Sequence, residues 1–471
     1  MLVSQLFKDA QFSREIKDKE VTNITDNSQK CREGSVFVCH KSGEMYVEEA
    51  LSKGAILVIS EKQICENSYV VADTKKEYSR LCSEFFANRH KNLKLIAVTG
   101  TNGKTTTANM IHTILTLSGK KCGLITTVNS NICGKVTESS LTTPDPFEMH
   151  RMFSELYAWG AEYCVLEASS QGIAEDRLYG LDFYMSVLTN VSRDHLDYHG
   201  TMENYILSKK RIFNKAEKSV INIDDENKEE FISCCKGKVI TYSLNNNEAD
   251  YIAKSIKQDE NGSNYAVIAD YAIHRIKLNV PGEFNIMNSL AAIAVARECD
   301  VSLEFCAYAL KNFSGVKGRM EILDTSTEYK VIIDYAHTPD ALKKVLLSLK
   351  SFPHERIITV FGCGGERDKE KRSIMGDVAS QLSDILVITS DNPRGEEPIK
   401  IIDDILAGVE KNTKSVYIHE NRRKAIEYAL KIAGKNDIIL LAGKGHETYQ
   451  IIGDEKFPMD ERQIVCEILS K

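Results

Sequence analysis

Residues 96–107 read IAVTGTNGKTTT and join an apolar stretch to a helical pattern through a short glycine loop. The helical pattern has apolar side chains on one side, at Met110, Ile111, Ile114, Leu115 and Leu117. A loop of this kind directs backbone N–H groups and a helix N-terminus at a phosphate. Lys104 is predicted to reach the β- and γ-phosphates of a nucleotide, and Thr105 to offer its hydroxyl to Mg²⁺. Because Val98 replaces the first glycine of the full pattern, a plain turn with an exposed lysine stays open as the alternative.

Further short apolar runs recur along the chain, each followed by a helix-like stretch. Together with the run before the glycine loop, 95–98, these apolar runs are 164–166, 331–333, 357–360, 385–388 and 438–441. Runs of this length that alternate with helices are typical of parallel strands buried on both faces, so the fold class is predicted to be α/β. Ligands bind at the carboxyl ends of such strands. One or two composite sites are therefore predicted where glycine or polar residues follow the strands, at Gly100, Glu167, Asn190, Asp334, Gly362, Asp391 and Gly443.

The length and composition limit the kind of protein this chain can be. At roughly 150 residues per domain, 471 residues suggest three domains, which we draw at 1–90 (ending in a helix-like stretch, 77–88), 91–321 and 322–471. A net charge of −7 and a pI near 6.0 argue against bulk nucleic-acid binding. The 13 scattered cysteines indicate a reducing compartment. Without a signal-peptide pattern or a long apolar run, we expect a cytoplasmic monomer that spans no membrane and whose partners are small molecules.

A second set of candidate residues lies in the 91–321 segment. Glu167 ends a predicted strand, where a carboxylate near a phosphate loop is a typical second anchor for nucleotide-bound Mg²⁺. His199 belongs to DHLDYHG (194–200), which mixes two histidines with two aspartates. That composition suits zinc, but oxygen ligands beside a phosphate loop favour magnesium. Lys209 and Lys210 follow in a helical stretch, where a solvated lysine pair is the simplest interpretation. Each of these residues also has a purely structural alternative.

Polar residues after the strands of the last segment predict a second pocket. The glycine loop GCGGER (362–367) has Arg367 where a dinucleotide fingerprint needs a small residue, so we interpret it as a turn that presents this arginine. Arg394 and Glu447 follow two other strands. Two guanidinium groups suit a carboxylate, and a glutamate beside them suits an ammonium group. The pocket is predicted to bind an amino acid, with surface ion pairs as the alternative.

The motifs, taken in order, resemble the Mur ligase family. The resemblance covers essentially the whole chain and is strongest to the members that add the third residue of the peptidoglycan stem peptide. It depends on TGTNGKTTT (99–107), TTPD (142–145), DHLDYHG (194–200), PGEFNIMN (281–288), GRME (318–321), DYAHTPD (334–340), GCGGERDKEKR (362–372), DNPR (391–394) and GKGHE (443–447).

This resemblance implies a three-domain architecture and an activity. The first domain would hold the UDP part of an acceptor, the central domain would be the ATPase, and the Rossmann-like third domain would bind the incoming amino acid. The implied enzyme is an ATP-dependent amide ligase of peptidoglycan biosynthesis. It would add meso-2,6-diaminopimelate to UDP-N-acetylmuramoyl-L-alanyl-D-glutamate through an acyl phosphate, with ATP and Mg²⁺ as cofactors.

The resemblance also implies roles for individual residues. The catalytic residues would be Lys104, Glu167, His199 and Lys209. Magnesium would be held by Thr105, Glu167, His199 and Lys209, the last as a carbamate. ATP would contact Gly100, Thr101, Asn102, Gly103, Lys104, Thr105 and Thr106, with Asn285 and Asn288 near the base and Arg319 and Asp334 near the phosphate and ribose. The acceptor would contact Ser28, Thr142, Thr143, Ser169, Glu175 and Arg177. Diaminopimelate would contact Arg367, Asp391, Asn392, Pro393, Arg394, Gly443 and Glu447, because DNPR (391–394) is the form associated with this amino acid rather than with lysine.

Three departures from the family pattern lie in the acceptor region. NSQ (27–29) stands where Asp-Ser-Arg is usual, Gln171 replaces a histidine, and Glu175 replaces a glutamine. A negative charge at position 175 is unexpected beside an anionic acceptor. These departures leave three alternatives: a relative that acts on a modified acceptor, a ligase for another carboxylate as in folylpolyglutamate or cyanophycin synthesis, and a phosphate-loop switch that hydrolyses ATP without an acceptor amine.

Overall fold

The computed structural model describes residues 1–8, 10, 12–270, 272–410 and 415–470. The described residues form sheets of four, eleven and six strands and a two-stranded ribbon. None of the helices among them is both long and apolar enough to cross a membrane. Single 3₁₀ turns lie at Ser28–Lys30, Glu44–Tyr46, Arg89–Asn92 and Phe213–Lys215.

The first unit is an all-parallel sheet in the order β1-β2-β3-β4. Its elements are α1 (Val3–Leu6), α2 (Arg14–Lys17), β1 (Asn23–Thr25), β2 (Ser35–Val38), α3 (Val47–Ser52), β3 (Ala55–Ser60), β4 (Ser68–Val70) and α4 (Thr74–Phe85). Helix α4 begins after Asp73, whose carboxylate accepts hydrogen bonds from the backbone N–H groups of Lys75 and Lys76. The Ser79 hydroxyl of α4 donates to the Asp176 carbonyl at 2.6 Å and so attaches this unit to the next one.

The second unit contains the eleven-stranded sheet, in the order β15-β14-β13-β12-β11-β10-β5-β9-β6-β7-β8. Its elements are β5 (Lys94–Thr99), α5 (Lys104–Leu117), β6 (Cys122–Ile125), β7 (Asn129–Ile132), β8 (Lys135–Glu138), α6 (Pro146–Trp159), β9 (Tyr163–Glu167), α7 (Ser170–Ala174), β10 (Phe183–Leu188), α8 (Leu196–His199), α9 (Met202–Lys210), β11 (Ala216–Asn222), α10 (Lys228–Ile232), β12 (Lys238–Ser243), β13 (Tyr251–Asp259), β14 (Gly262–Ala269), β15 (Ala272–Leu278), α11 (Glu283–Arg297) and α12 (Leu303–Lys311). The strands from β6 to β13 in this order pair in parallel, and antiparallel hairpins extend both edges.

Strand β5 explains why the centre of this sheet is buried on both faces. Ile96 and Val98 pack into the layer that contains α5 and α11, whereas Leu95 and Ala97 pack into the layer that contains α6. This alternation covers both sides of a parallel strand with helices. The carboxyl ends of the strands are therefore where polar side chains gather.

The third unit is a six-stranded sheet in the order β16-β17-β21-β18-β19-β20, parallel except for the β16–β17 pair. Its elements are β16 (Glu321–Leu323), β17 (Lys330–Asp334), α13 (Pro339–Lys350), β18 (Ile357–Phe361), α14 (Glu370–Leu382), β19 (Ile385–Ile388), α15 (Pro398–Leu406), β20 (Val416–Ile418), α16 (Arg422–Ile432), β21 (Ile438–Ala442), β22 (Tyr449–Ile452), β23 (Glu455–Pro458) and α17 (Glu461–Leu469). A fully buried ion pair between Arg422 and Glu461, at 2.8 Å, joins α16 to α17.

All six predicted apolar runs lie in parallel strands, namely β5, β9, β17, β18, β19 and β21, which confirms the α/β class. The bounds predicted for the helix at 77–88 were wrong. That helix begins earlier because Asp73 caps it, and it ends before Asn88, whose φ of 55° is left-handed. The domain division at 90/91 and 321/322 stays a prediction.

Candidate active site

The predicted phosphate loop connects β5 to Lys104, the first residue of α5. The Lys104 side chain folds back, so that Nζ donates to the carbonyl oxygens of Gly100 (3.0 Å) and Thr101 (2.8 Å). Desolvation lowers the pKa of its ammonium group. Gly103 has a φ of 85°, and a Cβ at this position would collide with the Asn288 side chain. The loop is therefore tightly built, and its lysine contacts only neutral dipoles.

Four further residues predicted for ATP approach the loop from other elements. Asn288 donates from Nδ2 to Asn285 Oδ1 at 3.2 Å, within helix α11. Arg319 donates from Nη2 to the Thr105 hydroxyl at 3.2 Å, which brings a guanidinium group to the loop. Asp334 accepts a hydrogen bond of 2.7 Å from the backbone N–H that follows Arg319, and burial raises the pKa of this carboxyl. Asp334 thus holds the turn that carries the arginine.

Glu167, His199 and Lys209 lie around the same loop. The Glu167 carboxylate accepts hydrogen bonds from the Thr127 backbone N–H (2.8 Å) and hydroxyl (3.0 Å). Lys209 is 1% exposed, and its Nζ donates to the Gly100 carbonyl at 2.8 Å, the oxygen that the loop lysine also uses. Burial and that neighbouring lysine hold the pKa of Lys209 well below its ordinary value. Burial and Lys209 also lower the pKa of His199.

Two side chains around the loop, His199 and Glu167, have donor atoms that suit a metal ion. His199 Nε2 is buried and has no hydrogen-bond partner among the described residues. The Glu167 carboxylate contributes the oxygen ligands that a hard cation prefers. The described residues contain no group of three or more His, Cys, Asp or Glu side chains placed to hold a metal ion. Further ligands must therefore come from other groups.

Five residues predicted for the acceptor gather at the carboxyl end of β9, and we call Thr142, Thr143, Ser169, Glu175 and Arg177 the acceptor-side cluster. The Thr143 hydroxyl donates to the carbonyl at the end of β9 (2.8 Å) and lies 3.0 Å from the Ser169 hydroxyl. The Thr142 hydroxyl lies 3.0 Å from the Thr127 hydroxyl, which donates to the Glu167 carboxylate. Arg177 donates to the Thr143 carbonyl (2.7 Å) and to Glu175 Oε2 (2.5 Å). The arginine is thus already paired with a carboxylate of the chain.

Ser28 lies apart from this cluster, in the first unit. Its hydroxyl is buried and donates to Glu49 Oε2 at 2.5 Å. The same unit contains a cavity of about 390 Å³ at the carboxyl ends of β2 and β3. Its lining includes His40, Lys41 and Lys62. The sequence did not predict this cavity, although its residues directly follow two parallel strands.

A second cavity, of about 170 Å³, lies between the second unit, which is the central one, and the third unit. Asp194 and His195 line it from the central unit, and Arg367, Arg394 and Glu447 line it from the third. The Arg394 Nη1 donates to a loop carbonyl, that of residue 365, at 2.8 Å. Desolvation and the neighbouring Arg367 lower the pKa of this guanidinium. Of the other residues predicted for diaminopimelate, the lining includes Asp391, Asn392 and Gly443.

Lys444 is a residue of this pocket region that the sequence analysis did not assign, although it stands in the quoted motif GKGHE (443–447). Its side chain is fully buried, and Nζ donates to Glu447 Oε2 (2.6 Å) and Asn392 Oδ1 (2.7 Å). The Asn392 amide also donates to Glu447 at 3.0 Å. Lys444 therefore fixes the carboxylate and the amide that face the cavity.

Asp194 is a further unassigned residue, in the quoted motif DHLDYHG (194–200). Its carboxylate lies within ion-pair distance of His195 (3.3 Å), His337 (3.8 Å) and Lys371 (3.9 Å). Although burial opposes ionisation, these neighbours lower the pKa of Asp194 to about 2. This buried carboxylate keeps basic side chains of both units together at the cavity.

Three polar contacts, made by Asn102 and Arg193, join the second unit and its phosphate loop to the third unit. Asn102 of the loop donates from Nδ2 to Asp340 Oδ2 at 3.1 Å. Arg193 pairs with Asp368 (3.0 Å) and Glu370 (2.5 Å). The phosphate loop therefore lies next to the second cavity: Asp194 and His195, which line the cavity, are close enough to Lys104 to interact with it electrostatically.

This fold and site define a class: an α/β protein in which a nucleotide-phosphate loop faces a second pocket for a charged small molecule. Residues 98–296 match the Mur ligase middle domain, and residues 318–445 match the Mur ligase, glutamate ligase domain. The chain belongs to the Mur ligase family.

Individual relatives agree with this membership. The chain is 40% identical to the UDP-N-acetylmuramoyl-L-alanyl-D-glutamate--2,6-diaminopimelate ligase of Clostridium botulinum, with 96% of each chain covered. It is 41% identical to the ligase of the same name from Caldanaerobacter subterraneus, over 96% of this chain and 95% of that one. A solved structure of a ligase with this name superposes with a TM-score of 0.69 at 31% identity, covering 100% of this chain and 99% of that one. Crystal structure I of MurF from Acinetobacter baumannii has the same TM-score at 18% identity, over 100% and 99% of the two chains, and shows the fold alone.

Proposed function

We propose that this protein is an ATP-dependent ligase that joins meso-2,6-diaminopimelate to UDP-N-acetylmuramoyl-L-alanyl-D-glutamate in peptidoglycan biosynthesis. The observation that carries the proposal is that the phosphate loop lies next to the second cavity. On one side, Lys104 and Lys209 both donate to the Gly100 carbonyl at the phosphate loop. On the other side, Arg367 and Arg394 line the second cavity. The relatives that the chain resembles over its full length carry the name of this ligase.

The reaction requires an activated carboxylate. In the first step a carboxylate oxygen of the D-glutamyl residue attacks the γ-phosphorus of ATP, which gives an acyl phosphate and ADP. In the second step an uncharged amine of diaminopimelate attacks the acyl carbon, the amide bond forms, and inorganic phosphate leaves as the amine loses its proton. Two anions meet in the first step, so Lys104 and Arg319 act by stabilising negative charge on the transferring group.

Magnesium fits this site if Lys209 is carbamylated. An ammonium group is no metal ligand, but an uncharged amine adds CO₂ and releases a proton, which leaves an anionic carbamate. The lowered pKa of the buried Lys209 favours the uncharged amine. Thr105, Glu167, His199 and the Lys209 carbamate would then hold Mg²⁺, which supplies charge neutralisation between the reacting anions. Incorporation of isotope-labelled bicarbonate at Lys209, followed by carbon NMR, tests this part of the proposal.

The amino-acid pocket supports diaminopimelate over lysine. Diaminopimelate has one more carboxylate than lysine, and the second cavity offers two guanidinium groups, Arg367 and Arg394. Glu447 and Asp391 line the same cavity and suit the ammonium groups. Lysine would leave one guanidinium without its anionic partner, which costs binding energy in a partly buried site.

The acceptor side contains a carboxylate, that of Glu175, which opposes an anionic ligand. Thr142, Thr143, Ser169 and Arg177 lie next to Glu167 and suit the dipeptide carboxylates. The cavity after β2 and β3 is lined by Lys41 and Lys62, which pair with Glu61 (3.3 Å) and Glu44 (2.7 Å) of the same lining. The phosphates of the UDP part would have to compete with these two carboxylates for the lysines. Ser28 bonds to Glu49 instead, so we expect it to support this unit rather than to contact the ligand.

A matrix assay tests the proposed function. ATP is combined with several UDP-sugar acceptors and several amino acids, and products are identified by mass. We expect one product, from the UDP-linked dipeptide and diaminopimelate, and phosphate release that needs both substrates. Failure of every UDP-linked acceptor would disprove the assignment, and ATP turnover without an acceptor would favour a phosphate-loop switch. A product with a different acceptor carboxylate would favour a relative with a modified substrate, the candidate that the Glu175–Arg177 pair supports.

A further inference from the structure

We infer that Glu175 is a specificity residue: its carboxylate occupies Arg177 as an internal substitute for the acceptor carboxylate, and the acceptor must displace it to bind. The inference deepens the proposed function and rests on it for the identity of the acceptor. It also accounts for the one charge in the acceptor region that is unexpected beside an anionic ligand.

The two terminal nitrogens of Arg177 are both engaged within the chain. One donates to the Thr143 carbonyl at 2.7 Å and the other to Glu175 Oε2 at 2.5 Å. A guanidinium group binds a carboxylate best through two parallel hydrogen bonds from such nitrogens. These two bonds use two of the five N–H donors of the guanidinium, so Arg177 can still donate to a ligand. The Glu175 carboxylate neutralises its charge, however, and an acceptor carboxylate gains a full ion pair with Arg177 only if Glu175 leaves.

The ion pair lies beside the reaction site and is partly exposed to solvent. Arg177 is tied to Thr143, whose hydroxyl donates to the Glu167 carbonyl at 2.8 Å. On its other side, Glu175 lies against the Tyr198 hydroxyl, and burial together with this carboxylate raises the pKa of that phenol. The Tyr198 ring contacts the ring of His199, with 4.8 Å between centroids. Glu175 thus lies near side chains that flank two of the groups assigned to magnesium, Glu167 and His199.

Glu175 is able to leave Arg177 without unfolding its surroundings. It stands at the C-cap of α7, and its side chain is 31% exposed, so it can rotate into solvent. Arg177 is 21% exposed and stays anchored through Thr143. Ion pairs at partly exposed positions stabilise weakly, so displacement should raise the acceptor KM by no more than about fivefold. Glu175 therefore weakens the binding of the acceptor without preventing it.

The first test compares Glu175→Gln, which keeps the shape and removes the charge, with Glu175→Asp, which keeps the charge but draws it back from Arg177 by one methylene. Both variants should lower the acceptor KM by about three- to fivefold, with the KM values for ATP and diaminopimelate unchanged. Glu155→Gln is the matched control, because it removes a carboxylate from another arginine of the same unit, Arg151. This control should keep the wild-type acceptor KM.

Two results would overturn the inference. An unchanged or raised acceptor KM in Glu175→Gln would mean that the carboxylate does not compete. A wild-type KM in Glu175→Asp together with a lowered one in Glu175→Gln would mean that charge in the acceptor path matters, and pairing with Arg177 does not.

A second measurement does not depend on the acceptor at all. Phenylglyoxal reacts with accessible arginine side chains, and peptide mass spectrometry follows its addition to Arg177. Labelling of Arg177 should be at least twofold faster in Glu175→Gln than in the wild-type protein, while labelling of Arg151 stays the same. Equal rates at Arg177 would overturn the inference even if the UDP-linked dipeptide is the substrate. Faster labelling in a protein that accepts no UDP-linked substrate would support it while disproving the proposed acceptor.

Discussion

The phosphate loop and the acceptor-side cluster end two neighbouring strands, β5 and β9, but they hold their cations differently. Lys104 donates to two backbone carbonyl oxygens, which carry no net charge. Arg177 donates to one carbonyl and to the Glu175 carboxylate. A phosphate that enters the loop replaces neutral dipoles, whereas a carboxylate that enters the cluster replaces another carboxylate.

This difference determines what each region contributes. On the phosphate side, a ligand gains charge-assisted hydrogen bonds that the free protein lacks. On the acceptor side, one ion pair is exchanged for another, so the net gain is small and the selection between ligands is sharp. Arg394 in the second cavity resembles Lys104, because the contacts of its Nη1 are also to carbonyl oxygens.

The largest effect is expected from Lys104→Ala. This change removes a cation that stabilises the transferring phosphoryl group, so turnover should fall about a thousandfold. ADP formation with all three substrates present measures it. Lys135→Ala, on the exposed strand β8 of the same sheet, is the control and should keep wild-type turnover. Turnover within tenfold of wild type for Lys104→Ala would place the reacting phosphates elsewhere and remove the basis of the comparison.

The next effect separates two adjacent lysines of α9. Lys209 is buried on the Gly100 carbonyl, whereas Lys210 pairs with Glu230 at 2.8 Å near the surface. Lys209→Met should lower turnover about a hundredfold or more, because the anionic ligand proposed for magnesium is lost. Lys210→Met should change turnover less than twofold. Similar losses in both variants, measured in the same assay, would mean that the helix and not the buried amine matters.

Much of the phosphate side could be predicted from the sequence, because local signals determine it. The apolar run at 95–98, followed by Gly100, Gly103 and Lys104, specifies a strand, a turn and a helix start within a few residues. The fold class follows from the same kind of signal repeated in other strands. Lys209 needed the family resemblance, because a lysine pair on a helix carries no local mark of burial.

The acceptor side could be predicted less well for a physical reason. The Glu175 carboxylate reaches Arg177 because Asp176 between them adopts a left-handed φ of 57°. No residue pattern around Asp176 specifies this conformation. The ion pair of Asp194 with Lys371 joins residues far apart in the chain and depends on how two units pack. Sequence patterns report local conformation and burial, whereas these contacts come from tertiary structure.

A third prediction asks whether Arg394 behaves like the phosphate-side cation. Arg394→Ala should raise the diaminopimelate KM by roughly ten- to a hundredfold, since a charged hydrogen bond to a carboxylate contributes about 1.5–3 kcal/mol. The ATP KM should not change. Arg423→Ala, which removes a surface pair with Glu467, is the control. Equal use of lysine and diaminopimelate by the unmodified protein, or an unchanged KM in Arg394→Ala, would mean that Arg394 does not bind an incoming carboxylate.

The smallest effect concerns the support of the acceptor side rather than its charges. His150 lies on α6, the helix that begins just after Thr143, and its ring contacts the ring of His90 with 5.1 Å between centroids. Burial lowers the pKa of His90 to about 4 and of His150 to about 3, from a model-peptide value of 6.5. Both rings therefore stay neutral in the folded protein at a pH where the unfolded chain has bound protons.

The sign of the pH dependence follows from these lowered pKa values. The stability that the two neutral histidines contribute is fully present above pH 6.5. It is lost as the pH falls towards 4, by about 1.4 kcal/mol per pH unit for each histidine. Urea unfolding between pH 7 and pH 5 measures the slope. His150→Phe fills similar space without a titratable group, so it should reduce the slope, and His90→Phe with His150→Phe should reduce it about twice as much. The slope that remains belongs to other histidines whose pKa values burial also lowers, such as His195 and His446. A wild-type slope in the double variant would show that acid destabilises the protein through other groups and not through His90 and His150.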